Sequence, residues 1–155
     1  DWKKLRHLDA DQMTSALEAL DRYTAKGGLK SRFFVEGEDP FNLSRCRHAG
    51  FPTIYDTHPL PDANPFSRVV IDFYKAVYHF GGFTVLSMET GTADRWVFGG
   101  NTRKAVQDVP LFLYHAPADE ELLAGAIGED NVQVIILRDQ SKDLFRWSAD
   151  VVRER

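Results

Sequence analysis

Cysteine is nearly absent from this chain, and its scarcity excludes one class of protein. Cys46 is the single cysteine among 155 residues. One cysteine cannot form an internal disulfide, so the chain is not a small secreted scaffold held together by disulfides. The same scarcity suits a reducing compartment, and we expect a cytoplasmic location on that ground.

The chain also lacks long apolar runs and an excess of positive charge. No run approaches the ~20 apolar residues that a membrane-spanning helix needs, and no signal peptide is visible at the start. We therefore expect no membrane partner. The formal net charge is −4, which argues against nucleic-acid binding by bulk electrostatics but leaves a local basic site open.

Motifs of the common nucleotide-binding and hydrolytic enzymes are missing too. The sequence contains no G-x-x-x-x-G-K-[ST], no G-x-G-x-x-G and no G-x-S-x-G. Cys46-x-His48 and Asp56-x-His58 bring zinc-ligating residue types into one stretch, with Asp62 close behind, but their spacing is not that of a structural zinc module. We therefore predict neither a bound metal nor a cofactor.

The composition is that of an ordinary globular protein. Hydrophobic residues make up 43% of the chain and charged residues 27%, which is a usual balance for a packed domain. A length of 155 residues predicts a single globular domain over the whole chain. Because the chain does not begin with methionine, we expect processing or excision from a longer protein.

A helix from Asn64 to about Gly81 is the most strongly marked element. Asn64 can cap it, Pro65 suits its first turn, and Gly81 can end it. Apolar residues recur inside it at spacings of three and four: Phe66, Val70, Phe73, Val77 and Phe80. This pattern predicts a helix packed against a sheet, with Phe73 and Val77 buried at the centre of the contact.

The other apolar segments predict an α/β or α+β fold. We expect a mixed β-sheet flanked by about four helices. The predicted helices besides the central one are Asp1–Lys26, Thr102–Gln107 (a helical turn), Asp119–Ile127 and Asp143–Val152. The predicted strands are Arg32–Glu36, Phe83–Met88, Arg95–Phe98, Leu111–His115 and Val132–Leu137. The second and third of these strands form a hairpin, and the last two suit parallel neighbours.

Residues 37 to 64 are predicted to form a long irregular loop, because prolines are frequent there and only Thr53–Tyr55 resembles a strand. Long loops in compact domains often carry function. In an extended segment Asp56 and His58 would point the same way, as would Arg45 and Arg47. The arginine pair could then hold a carboxylate or phosphate through forked hydrogen bonds.

Strand ends supply further candidate site residues. His115 and Glu89 each close a predicted strand, and ligands of open α/β sheets bind at the carboxyl ends of strands. We therefore take His58, Asp56, His115 and Glu89 as candidate acid–base groups. The segment from Phe98 to Lys104 places two glycines before Arg103 and Lys104, and this arrangement can bind an anion.

Three functions are compatible with these features. The first is a non-catalytic interaction or regulatory module that binds a protein partner, which the absence of catalytic motifs favours. The second is a hydrolase or nuclease that uses the His, Asp and Glu groups, with or without a metal. The third is a sensor domain that binds a small or anionic ligand at the strand ends. We recognise no family in the sequence.

Overall fold

The computed structural model describes residues 7–138. Within that range it contains five α-helices and five β-strands. The helices are α1 (Ala10–Ala25), α2 (Pro40–His48), α3 (Ser67–Gly81), α4 (Gly100–Val106) and α5 (Glu120–Ile127). The strands are β1 (Val35–Gly37), β2 (Thr53–Thr57), β3 (Val85–Glu89), β4 (Leu111–Ala116) and β5 (Val132–Leu137). The predicted helix Asp143–Val152 lies outside the described residues.

The strands form one sheet in the order β1-β2-β3-β4-β5, and the sheet is parallel. The predicted α/β class with a sheet flanked by helices is therefore confirmed, whereas the predicted hairpin strand at Arg95–Phe98 is wrong. A 3-10 turn spans Ala93–Arg95 instead. The carbonyl of Trp96 accepts a hydrogen bond from the amide of Asp62 at 2.9 Å. No helix in residues 7–138 is long and apolar enough to cross a membrane.

Backbone contacts divide the chain into two compact units. The first comprises the residues up to Asp56 together with Ala76–Leu86. The second comprises Thr57–Lys75 and the residues from Ser87 onward. The candidate site described below belongs wholly to the second unit.

Helix α1 of the first unit spans Ala10–Ala25, a shorter range than the predicted Asp1–Lys26, of which residues 1–6 lie outside the described residues. Asp9 caps it, because its carboxylate accepts hydrogen bonds from the amides of Asp11 at 3.0 Å and Gln12 at 2.8 Å. The side chain of Gln12 accepts in return from the amide of Asp9 at 3.1 Å. This reciprocal pair is a capping box, which satisfies amides that the first turn leaves without a helical acceptor. Met13 and Leu20 then face the core.

The predicted long loop at residues 37–64 is wrong, because most of it is regular structure. Asp39 caps α2 by accepting from the amide of Phe41 at 2.9 Å, and Pro40 occupies the first helical position. Proline fits there because its missing N–H has no helical acceptor to lose. An Asp-Pro pair therefore marks a helix start as readily as a turn. Strand β2 follows, and irregular chain remains between Thr57 and Ser67.

Helix α3 forms within the predicted segment, although it begins at Ser67 rather than Asn64, and it buries a different side. Phe73 is 63% exposed and Phe80 is 97% exposed, whereas Ile71 is 1% exposed. The predicted burial of Phe73 is wrong, and Val77 is only half-buried. Polar residues on the buried side explain the error, because their hydrogen bonds let them lie there at low cost. The Ser67 hydroxyl donates to the Asp62 carbonyl at 3.3 Å, and the Lys75 ammonium donates to the Ala105 carbonyl at 3.1 Å.

Candidate active site

Polar side chains converge where the strands of the second unit end. His58 follows β2, Glu89 is the last residue of β3, His115 lies near the end of β4, and Arg138 follows β5. Because parallel strands end at one edge of their sheet, these residues meet there although they lie far apart in sequence. We call His58, Glu89 and His115 the His–Glu–His cluster.

The carboxylate of Glu89 joins the two imidazoles of the cluster. Nδ1 of His58 lies 3.2 Å from Oε2 of Glu89, and Nδ1 of His115 lies 3.1 Å from Oε1. An ionised carboxylate only accepts hydrogen bonds, so each Nδ1 must carry the proton in these contacts. In the neutral imidazole Nε2 then keeps its lone pair and can act as a base.

Glu89 is held in its ionised form by the same contacts. The hydrogen bond from His115 is the largest effect and lowers the pKa of Glu89 below 4.5, while partial burial opposes it. The bond from His58 lowers the pKa further. The guanidinium of Arg138 adds a cation 3.8 Å from Oε1. Glu89 therefore acts at neutral pH as a fixed anion that orients both rings.

A β-bulge places His115 in this cluster. Between the pairs Leu113–Ile135 and Ala116–Leu137, β4 contains one residue more than β5. His115 has a backbone φ of 57° and is the only non-glycine residue within residues 7–138 with a positive φ. Such a conformation is unfavourable for a residue with a Cβ, and strain of this kind is frequent at functional sites. Bulges beside active sites redirect side chains in this way.

Tyr114 lies beside both imidazoles. Its hydroxyl is 3.3 Å from Nδ1 of His58 and donates to the carbonyl of Thr57 at 3.4 Å. Its ring lies edge to face with the ring of His115, at 5.1 Å between centroids. In a regular strand Tyr114 and His115 would point to opposite faces. The bulge brings both to one site.

The cluster has the groups that general acid–base catalysis requires. An imidazole changes protonation near neutral pH, so one ring can accept a proton while the other donates one. Both rings are exposed, so a substrate can reach them. The carboxylate sets the tautomer of both rings, as a third group does in other His-based sites.

The other predicted site residues are not members of the His–Glu–His cluster. Asp56 is half-buried on β2 in the first unit. Arg45 and Arg47 are not in an extended segment but on α2, where residues two apart point to different sides. Arg45 donates to Oδ1 of Asn42 at 3.2 Å. The guanidinium of Arg47 packs against Gly82, so closely that a Cβ at position 82 would lie 2.9 Å from it.

The glycine pair before α4 does not have an open anion site. The carboxylate of Asp62 accepts from the amides of Thr102 at 2.7 Å and Asn101 at 3.4 Å. The chain's own anion therefore occupies the start of this helix. Arg103 points to α5, where it donates to the Gly125 carbonyl at 3.3 Å and lies 3.5 Å from Glu129. Lys104 is exposed on α4.

Cys46 and His48 do not form a pair. Both lie on α2, where Cys46 is buried and His48 is exposed. Burial raises the pKa of the Cys46 thiol to about 11, so it stays protonated near neutral pH and is a poor nucleophile or metal ligand. Nδ1 of His48 donates to the Ser44 carbonyl at 2.7 Å.

Sequence reasoning missed Tyr114 and Arg138. The sequence around Tyr114 predicts an ordinary strand residue, and no local pattern indicates the bulge at this position. Arg138 comes directly after the apolar strand β5, so the strand-end rule that selected Glu89 could have selected it as well.

Comparison of the chain with protein-family models, with curated proteins and with solved structures found no match.

Proposed function

We propose that this protein is a hydrolase of the acid–base type whose reaction takes place at the His–Glu–His cluster. The observation that carries the proposal is the pair of contacts from one carboxylate to Nδ1 of His58 and Nδ1 of His115. The left-handed backbone at His115 supports it, because the fold tolerates an unfavourable conformation where the imidazole reaches Glu89.

The reaction that suits this geometry is the hydrolysis of an ester. The neutral imidazole of one histidine takes a proton from water through Nε2, and the water oxygen forms a bond to the acyl carbon or the phosphorus. The protonated imidazole of the other histidine gives its Nε2 proton to the leaving oxygen as the ester bond breaks. The two rings end with exchanged protonation states, and proton exchange with solvent restores them.

The test uses two probe esters, p-nitrophenyl acetate and bis(p-nitrophenyl) phosphate. His58→Gln, His115→Asn and Glu89→Gln should each lower kcat/KM for the hydrolysed probe, by about 10²–10⁴-fold for a histidine. The matched control is His48→Gln, which removes an exposed imidazole from α2 in the first unit. The rate should follow a bell-shaped pH profile, since one histidine must be neutral and the other charged. Equal rates in control and cluster variants would exclude this site.

A protein-binding module is the second candidate function, and the outer face of α3 favours it. We define this face by Val69 and Phe73 on the helix and by Phe66, which directly precedes it; all three are exposed. Large apolar side chains grouped on a surface mark sites of protein interaction. We propose an amphipathic helix of a cytoplasmic partner as the occupant, because apolar residues at helical spacing suit a second helix.

A labelled model helix of leucine and lysine heptads can test this second function. It should bind the wild-type chain in a titration followed by fluorescence anisotropy. Phe73→Ser should abolish the binding, and Lys104→Gln, on α4, should leave it intact. Equal affinity of the two variants would exclude the face.

A further inference from the structure

A buried threonine, Thr90, forms hydrogen bonds to the bulge of β4. Thr90 follows Glu89 directly and is 0% exposed. Its amide donates to the carbonyl of Tyr114 at 3.1 Å, and its hydroxyl donates to the same carbonyl at 3.2 Å. Two donors from one residue therefore converge on one oxygen, while the carbonyl of Thr90 accepts from the amide of Val97 at 3.0 Å.

The carbonyl of Tyr114 belongs to the peptide unit that leads into His115. Because a peptide unit is planar, fixing its oxygen fixes the orientation of the amide on which φ of His115 turns. That φ lies in the left-handed region, which costs a residue with a Cβ roughly 1–2 kcal/mol. His115 therefore keeps this left-handed conformation only if it allows hydrogen bonds that the ordinary backbone conformations would break. The two bonds from Thr90 are contacts of this kind.

The side chain of Thr90 is suited to this task. A β-branched side chain has few χ1 rotamers, so its hydroxyl keeps one direction. Burial removes water as a competing acceptor, so the loss of this hydrogen bond leaves a buried polar group without a partner and lowers stability. Thr90 touches neither imidazole in these bonds, so the two bonds act on the rings through Tyr114 and His115.

We propose that Thr90 is a positioning residue of the His–Glu–His cluster. Its hydroxyl holds the bulge in the conformation that brings Nδ1 of His115 to Glu89 and the Tyr114 hydroxyl to His58. The consequence for catalysis rests on the proposed hydrolase function. The consequence for the geometry of the imidazoles does not.

The experiment compares Thr90→Val with Thr90→Ser in the full chain. Valine keeps the side-chain shape and the hydrogen bond from the backbone N–H to the Tyr114 carbonyl, but it removes the hydrogen bond from the hydroxyl. Serine keeps a hydroxyl. The control is Thr24→Val, which removes another buried threonine hydroxyl, bonded to the Leu20 carbonyl at 2.9 Å on α1. Thermal unfolding checks that each variant is folded, and Thr90→Ala replaces the valine variant if that one does not fold.

The first readout is the ¹⁵N spectrum of the imidazoles, which reports the tautomer and the Nδ1–H bond of each ring. Thr90→Val should weaken the bonded Nδ1–H signal of His115, and Thr90→Ser should restore it. The second readout is hydrolysis of the probe esters, where a small displacement of a reacting group should lower kcat by about 10- to 100-fold. The serine variant should recover most of that rate, and the control should match the wild type in both readouts.

Imidazole signals in Thr90→Val that match those of the wild type would overturn the proposal. So would a Thr90→Ser variant whose signals match those of Thr90→Val. If the wild-type chain hydrolyses neither probe, the proposed function fails at this site. The imidazole spectra then still decide whether Thr90 positions the rings.

Discussion

Replacing His115 with alanine and with glycine tests whether the strain at the cluster is real. Both substitutions remove the imidazole and its bond to Glu89, so this loss cancels when the two variants are compared. What differs is the backbone at φ 57°. Alanine retains the left-handed penalty of roughly 1–2 kcal/mol, and glycine is free of it.

Glycine loses more conformational freedom on folding, which offsets roughly 0.5–1 kcal/mol of that gain. The glycine variant should therefore be more stable than the alanine variant, by up to about 1.5 kcal/mol. In an ordinary strand the order is reversed, because only the entropic term acts there. The sign of the difference, rather than its size, reports the conformation of the backbone.

Ile136 on β5 is the matched control position. It is exposed like His115, and its φ is not positive. Ile136→Gly should be less stable than Ile136→Ala by about 0.5–1 kcal/mol. Urea unfolding at equal slope m gives each difference. A glycine variant at position 115 that is less stable than the alanine variant would refute the left-handed bulge, and with it the structural basis of the cluster.

Three further predictions concern acid stability, thiol reactivity and helix packing. The pKa of Glu89 is lowered from 4.5, so the stabilisation it contributes is present above that value and is lost as the pH falls through the folded-state pKa. Glu89→Gln should therefore flatten the acid limb of a plot of unfolding free energy against pH, and an unchanged limb would contradict the contacts. Cys46 should react with Ellman's reagent only after urea unfolding, since the native thiol is buried and protonated; rapid native labelling would show otherwise. Phe73→Ala should change the unfolding free energy by less than about 0.5 kcal/mol, whereas Ile71→Ala should cost about 2–5 kcal/mol. The opposite order in urea unfolding would show that α3 buries the side with Phe73.

Local signals in the sequence determined the caps of some helices and the bounds of some strands. Asp9 and Asp119 cap α1 and α5 as their positions suggest, because a capping side chain bonds amides two or three residues away. The strand β5 has the bounds that its apolar run predicts. Glu89 and His115 are predicted as site residues because they close predicted strands, and strand ends can be read from a short window. His58 is predicted from the segment taken as a loop, where it would point the same way as Asp56.

Tertiary structure alone decided how these pieces combine. The chain after β3 does not return as a hairpin: the Trp96 carbonyl accepts from the amide of Asp62, a residue far away in sequence that a short window does not include. The buried side of α3 depended on hydrogen bonds to distant carbonyls, such as that of Lys75 to Ala105. The cluster itself depends on a bulge whose extra residue is defined only by the partner strand. Contacts between residues far apart in sequence set each of these outcomes, so a single sequence could name the groups of the site but not their geometry.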